Sequence, residues 1–185
     1  MVHGFGINDA DYKVAWKEDG KQKLCPFYRT WRGMLERCYN PRYVKKFPTY
    51  EGCYVYAEWK YFSNFKAWME TQDWEGKQLD KDLLVQGNKL YGPETCVFVD
   101  LLTNSFFTNC TEVKGDLPIG VCIHKGTGKF LAQCGALGKR VNLGIFSTVE
   151  EAEQVYKDYK KLQAQKLAVM QSDTRVADAI LKRFE

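Results

Sequence analysis

From Phe27 onward the apolar residues recur with the period of a helix. Phe27, Tyr28, Trp31, Met34, Leu35, Cys38 and Tyr39 form one stripe, with Arg29, Arg32 and Arg37 on the other faces. Pro26 suits the first turn of that helix and Asn40-Pro41 ends it. The preceding residues, 1–25, mix Gly, Asp and Lys with scattered aromatics and no clear period, which predicts an extended arm. Residues 41–57 read as a Pro- and Tyr-rich connection with a short strand over 53–57. A second helix follows over 58–70, with Trp59, Phe62, Phe65, Trp68 and Met69 on one side. Aromatic packing between the two helices is the expected core.

Past residue 78 the spacing shortens. Residues 79–84 read as a strand, 86–89 as a turn, and 95–99 as a second strand preceded by the turn signal Tyr91-Gly92-Pro93-Glu94. Residues 101–107 predict a short helix packed back on that pair, which makes a ββα unit. Beyond an expected linker over 109–117, three runs alternate strictly: 120–124, 129–134 and 140–144. Period 2 places Val121, Ile123, Phe130, Ala132, Cys134, Val141 and Leu143 on one face, and Cys122, His124, Lys129, Leu131, Gln133, Arg140 and Asn142 on the other. A helix to cover the first face begins at once. Thr148 and Glu151 have the spacing of a capping box, and Ala152, Val155, Tyr156, Tyr159 and Leu162 carry the stripe toward Met170. Ser172-Asp173 can cap a last helix through Val176, Ile180, Leu181 and Phe184. The fold class is therefore α+β. A helical and ββα module spans 1–108, a linker 109–117, and a three-stranded antiparallel sheet with a packed helix and helical extension 118–185.

The chain has 185 residues, 45% hydrophobic and 27% charged, the composition of a globular rather than a disordered protein. No run approaches the roughly 18 apolar residues of a membrane span, and Met1 to Gly6 lack the basic start and apolar core of a signal peptide. A cytoplasmic protein with no membrane partner is the expectation. Its seven cysteines then read as free thiols. The scattered spacing and aromatic neighbours of Cys25, Cys38, Cys53 and Cys96 favour burial over a structural zinc. With only His3 and His124, a His-rich metal site or a Ser-His-Asp triad is nearly unbuildable. The net charge is +4. Residues 1–113 balance 15 basic against 15 acidic side chains, whereas 114–146 hold five basic and one acidic, so the surplus is assigned to that stretch. A localised basic face is the footprint of a polyanion partner.

Pro118-Ile119-Gly120-Val121, Gly128-Lys129-Phe130-Leu131-Ala132-Gln133, Val141-Asn142-Leu143-Gly144-Ile145-Phe146 and Thr148-Val149-Glu150-Glu151-Ala152 resemble, in order and spacing, the AP2 domain. That resemblance implies a sheet laid in the major groove of double-stranded DNA. His124, Gln133, Arg140 and Asn142 would face base edges, and Lys125, Lys129, Lys139 and Arg140 would anchor phosphates. Cys122, His124, Gly135 and Asn142 stand where several of the family's arginines and tryptophans would be. Gly126-Thr127-Gly128-Lys129 is too short for a phosphate-binding loop and reads as a hairpin turn.

Trp31-Arg32-Gly33-Met34-Leu35-Glu36-Arg37-Cys38-Tyr39-Asn40, Thr49-Tyr50-Glu51-Gly52-Cys53, Leu79-Asp80-Lys81 and Tyr91-Gly92-Pro93-Glu94-Thr95-Cys96 resemble phage-encoded HNH-type homing endonucleases, which often carry a C-terminal AP2 domain. The resemblance implies one divalent metal, Mg²⁺ or Mn²⁺, held by Asp80 and Asn104, with catalysis by Asp80, Lys81 and Asn104. Lys81 stands where the family has its general-base histidine. An ordinary lysine, with a pKa of about 10.4, is protonated at neutral pH and a poor base. Two functions follow: metal-dependent nicking or cleavage of duplex DNA, or a catalytically degenerate DNA- or protein-binding regulator, such as a counter-defence protein acting on a host complex.

Overall fold

Residues 1–25 are built from two tight hairpins, not an extended arm. Val2 bridges Gly6 around His3 and Gly4, whose φ angles are 49° and 76°. Strand β1 (Ala15–Glu18) pairs antiparallel with β2 (Lys21–Leu24) around Asp19 and Gly20, at φ 51° and 72°. Two successive left-handed residues make the hairpin turn whose twist matches that of its strands, and Asp-Gly is its strongest sequence signal. The computed structural model describes residues 1–107, 116–136 and 138–184. The fold is α+β. The chain divides into two compact units, Met1–Val99 and Asp100–Glu185.

In the first unit, α1 (Pro26–Tyr39) buries Trp31, Met34 and Leu35, the expected stripe. The Trp31 indole N–H donates to the carbonyl of Trp59 at 2.7 Å, so the largest core side chain is also polar-satisfied. Gly6 lies so close to this ring that a Cβ there would come within 2.3 Å of Leu35 and 2.6 Å of Trp31. The short α2 (Pro41–Lys46) follows, capped by the Asn40 side chain. The expected helix over 58–70 is broken into a 3₁₀ turn, Ala57–Lys60, and α3 (Phe62–Glu70). Its interruption has a long-range cause. Ile7 takes Lys60 O and Phe62 N as backbone partners, holding Tyr61 extended. Asp9 then accepts from both Ser63 N and Ser63 Oγ, capping α3 from elsewhere in the chain.

Four short strands complete this unit. β3 (Tyr54–Val55) pairs in parallel with β5 (Leu90–Tyr91), and β4 (Gln78–Asp80) pairs antiparallel with β6 (Val97–Val99). The strand expected over 79–84 ends at Asp80. There Asp80 Oδ1 accepts from Asp82 N and Leu83 N, both at 2.7 Å, and turns the chain.

The second unit opens with α4 (Leu101–Phe107), whose N-terminus is capped by the Asp100 carboxylate on Thr103. This helix belongs with the C-terminal unit rather than closing a ββα grouping in the first. Phe106 and Phe107 pack on Phe184, and Gln171 donates to Thr103. The unit boundary therefore differs from the one expected at 108. Residues 109–115 of the expected linker lie outside the described residues. β7 (Val121–Ile123), β8 (Phe130–Ala136) and β9 (Lys139–Phe146) form the predicted three-stranded antiparallel sheet. α5 (Val149–Val169) starts with the full capping box of Thr148 and Glu151, and Ala152 packs with Val121 and Ala132. α6 (Thr174–Arg183) is capped by Asp173. Gly120, at φ 84°, supports the ring of Tyr156, which a Cβ would meet at 2.1 Å. Among the described residues no helix is long and apolar enough to cross a membrane.

Candidate nucleic-acid interface

One β-bulge determines what the uncovered sheet face presents. The register runs Ala132 to Gly144 and then Gln133 to Asn142, leaving Leu143 as the extra residue. Leu143 and Phe146 consequently both pack toward the helix side, against the small core of Val121, Ala132 and Ala152. Ile145 turns outward, and 44% of it is exposed. Strict alternation over 140–144 predicts Val141 and Leu143 on the helix side and does not reach Ile145 or Phe146. The uncovered face thus has two halves. Cys122, Leu131 and Ile145 lie in register as an apolar strip, and Gln133 opposite Asn142, with Arg140 opposite Gly135, form a polar half.

Most expected contact residues fall on or beside this face. Arg140 and Asn142 are exposed, and Gln133 is half-buried, its amide donating to Cys122 Sγ at 2.7 Å. His124 closes the β7–β8 turn: its backbone N–H donates to Lys129 O, its carbonyl accepts from Gly128, and its Nδ1 lies 3.0 Å from Thr127 Oγ1. The segment Gly126–Lys129 is accordingly a hairpin turn, with Lys125 and Lys129 exposed at it. Lys139 is exposed and pairs with Ala136 at the end of the β8–β9 hairpin, and both it and Arg140 line a pocket of about 330 Å³ beside Leu102, Ser105 and Phe106.

The second expected site, around Asp80, has a different character. Lys81 is only 5% exposed. Its ammonium pairs with Asp82, donates to Asn88 O at 2.8 Å, and sits 5.8 Å from the ring centre of buried Tyr91. The Asn88 amide returns hydrogen bonds to the carbonyls of Lys81 and Leu90. Tyr91 is hydrogen-bonded to Arg37. Burial raises the tyrosine's pKa well above its ordinary value, and the guanidinium only partly opposes this. Tyr50 is likewise raised by burial, tempered by Arg37 and Lys81. Sequence reasoning missed Arg37, Asn88 and Tyr91; the Asn88 turn position was the one available signal.

The carboxylates of the expected metal site are in part already engaged. One Asp80 oxygen is committed to two backbone N–H groups, and Asp82 is neutralised by Lys81. Asn104 stands on α4 in the second unit, so neither unit contains both expected ligands. Among the described residues no group of three or more His, Cys, Asp or Glu side chains converges on one point. Cys25, Cys53 and Cys96 are buried thiols, and burial pushes Cys38 and Cys96 up to about 12. No family model matches the chain, and neither a curated protein nor a solved structure matches it.

Proposed function

We propose that this chain is a double-stranded DNA-binding protein that lays the open face of β7–β9 in the major groove, binding without hydrolysis. The observation that carries the reading is the composition of that face: an exposed Arg140, an in-register Gln133–Asn142 pair, and an apolar strip ending in Ile145. Arginine suits guanine and amides suit adenine, while an apolar side chain suits the thymine methyl. Strands about 4.8 Å apart put the outer two about 10 Å apart, within a groove about 12 Å wide. Lys125 and Lys129 at the turn supply phosphate contacts. The likeness of 118–152 to AP2 domains and of 27–108 to phage HNH-type homing endonucleases agrees with a DNA partner. The internally satisfied Lys81 network favours the non-cleaving descendant of that scaffold.

Supercoiled plasmid tests both halves of the proposal. Retarded plasmid that stays supercoiled with Mg²⁺ or Mn²⁺ is expected. Metal-dependent relaxation that disappears in Asp80→Ala would establish nicking instead, and absence of retardation at low salt would overturn the DNA reading.

A further inference from the structure

The balance of charge over 1–113 conceals a second basic concentration. Residues 37–50 contain Arg37, Arg42, Lys45 and Lys46 and no acidic residue, the same excess of four found over 114–146. The fold displays it. Asn40-Pro41 starts α2 immediately after α1, and the helix carries Arg42, Lys45 and Lys46 all exposed within a turn and a half. None of the three makes an ion pair with a carboxylate among the described residues. Lys89 extends the patch by donating to Thr49 O at 3.0 Å, at the 3₁₀ turn Pro48–Tyr50 that follows α2. Uncompensated cations held this close repel one another, a cost that a polyanion removes.

The aromatic rings in the same segment decide which polyanion. A single strand is held by stacking its bases on free ring faces. Here Tyr43 packs between Phe47 and Tyr50 with its ring tilted by 44° and 53° to theirs, at centroid distances of 4.8 and 5.8 Å. Lys46 lies over Phe47 at 5.2 Å and Arg37 over Tyr50 at 5.9 Å. These rings pack on one another and under cations rather than standing as a row of free faces, and Phe47 alone among them is exposed, at 38%, so charge is the main means of recognition. We infer that α2 and the following turn form a second, sequence-independent contact for the phosphodiester backbone of duplex DNA, on the first unit, outside the segment engaged by the sheet. This rests on the DNA reading above and adds to it a footprint longer than one sheet.

Full-length Lys45→Glu/Lys46→Glu tests it against a charge-matched control, Lys13→Glu/Lys17→Glu, on duplexes of about 12 and about 40 base pairs, with salt slopes read at about 0.9 per phosphate contact. On the long duplex, Lys45→Glu/Lys46→Glu is expected to lower the slope by about 2 and weaken affinity at least about tenfold, well beyond the control. On the short duplex the excess over the control should be smaller, because fewer phosphates are in reach. Equal effects of the two variants on the long duplex would overturn the inference while leaving the sheet's role standing, as would a loss confined to single-stranded DNA. Failure of the unsubstituted protein to bind duplex at all would instead overturn the underlying reading.

Discussion

The uncovered face of β7–β9 and the surroundings of Lys81 use similar side chains, an amide, a cation and a few apolar neighbours, but dispose of their hydrogen-bonding capacity in opposite ways. Around Lys81, each polar group already has a partner: the ammonium has Asp82 and Asn88 O, Asp80 has two backbone donors, and Asn88 has two carbonyls. On the sheet, Arg140 and Asn142 are exposed and Gln133 spends one donor on Cys122. A satisfied network holds a fold together, while a face with spare donors and acceptors can bind something. The difference gives the first region a structural part, although the order of residues suggested catalysis there, and leaves the second open for the recognition proposed for it.

The largest effect expected to test this contrast is on stability. Lys81→Ala strips Asp82 and the Asn88 carbonyl of their shared partner. Loss of one member of a fully buried pair costs about 3–5 kcal/mol; with Asp82 half-exposed, about 2 kcal/mol is expected in urea unfolding. An unchanged midpoint would mean that the lysine is free for other work. Next is Arg140→Ala, which should weaken duplex binding by about 1–2 kcal/mol while changing stability by less than about 0.5 kcal/mol. The opposite pattern would merge the two regions into one class. Tyr91→Phe removes the hydroxyl held by Arg37 and should cost about 1 kcal/mol of stability with no change in DNA affinity.

The smallest effect concerns pH in the second unit. Burial lowers the pKa of Lys160, with the Cys134 thiol of β8 only partly opposing it; the ammonium donates to Phe106 O and lies 3.6 Å from that ring's centre. Between the lowered folded value and about 10.4 the unfolded chain binds more protons. Lys160 therefore makes stability rise with pH across that window, and its penalty is fully present below it. Comparing Lys160→Met with the unsubstituted protein isolates this slope from the buried tyrosines and thiols; identical pH profiles would contradict it.

How much of this was legible in the sequence depended on the range of the interactions involved. The α1 stripe, the Thr148–Glu151 cap and the three strands are set by near neighbours, and each is where its spacing predicts, except that Ile123, expected on the helix side, is 59% exposed at the end of β7. The break at Tyr61 is imposed by Ile7 and Asp9, more than fifty residues away in the chain, and no local period encodes it. The hairpin around Asp19-Gly20 was announced by its turn but hidden by its polar strands. The Leu143 bulge turns Ile145 outward, because one extra residue reverses all later alternation. α4 follows its packing partner Phe184 rather than its nearest strands, so Asn104 does not share a unit with Asp80. Lys81 was seen as a replaced base, but its burial depended on Asn88 and Tyr91, whose approach only the fold shows.

The most direct test of the central claim is the salt dependence of duplex binding by the full-length protein and by Lys125→Ala/Lys129→Ala. The account predicts a linear fall of log affinity with log salt, and a slope shallower by about 2 in the double variant, one contact for each cation removed. Binding indifferent to salt, or a slope unmoved by losing both side chains, would contradict it.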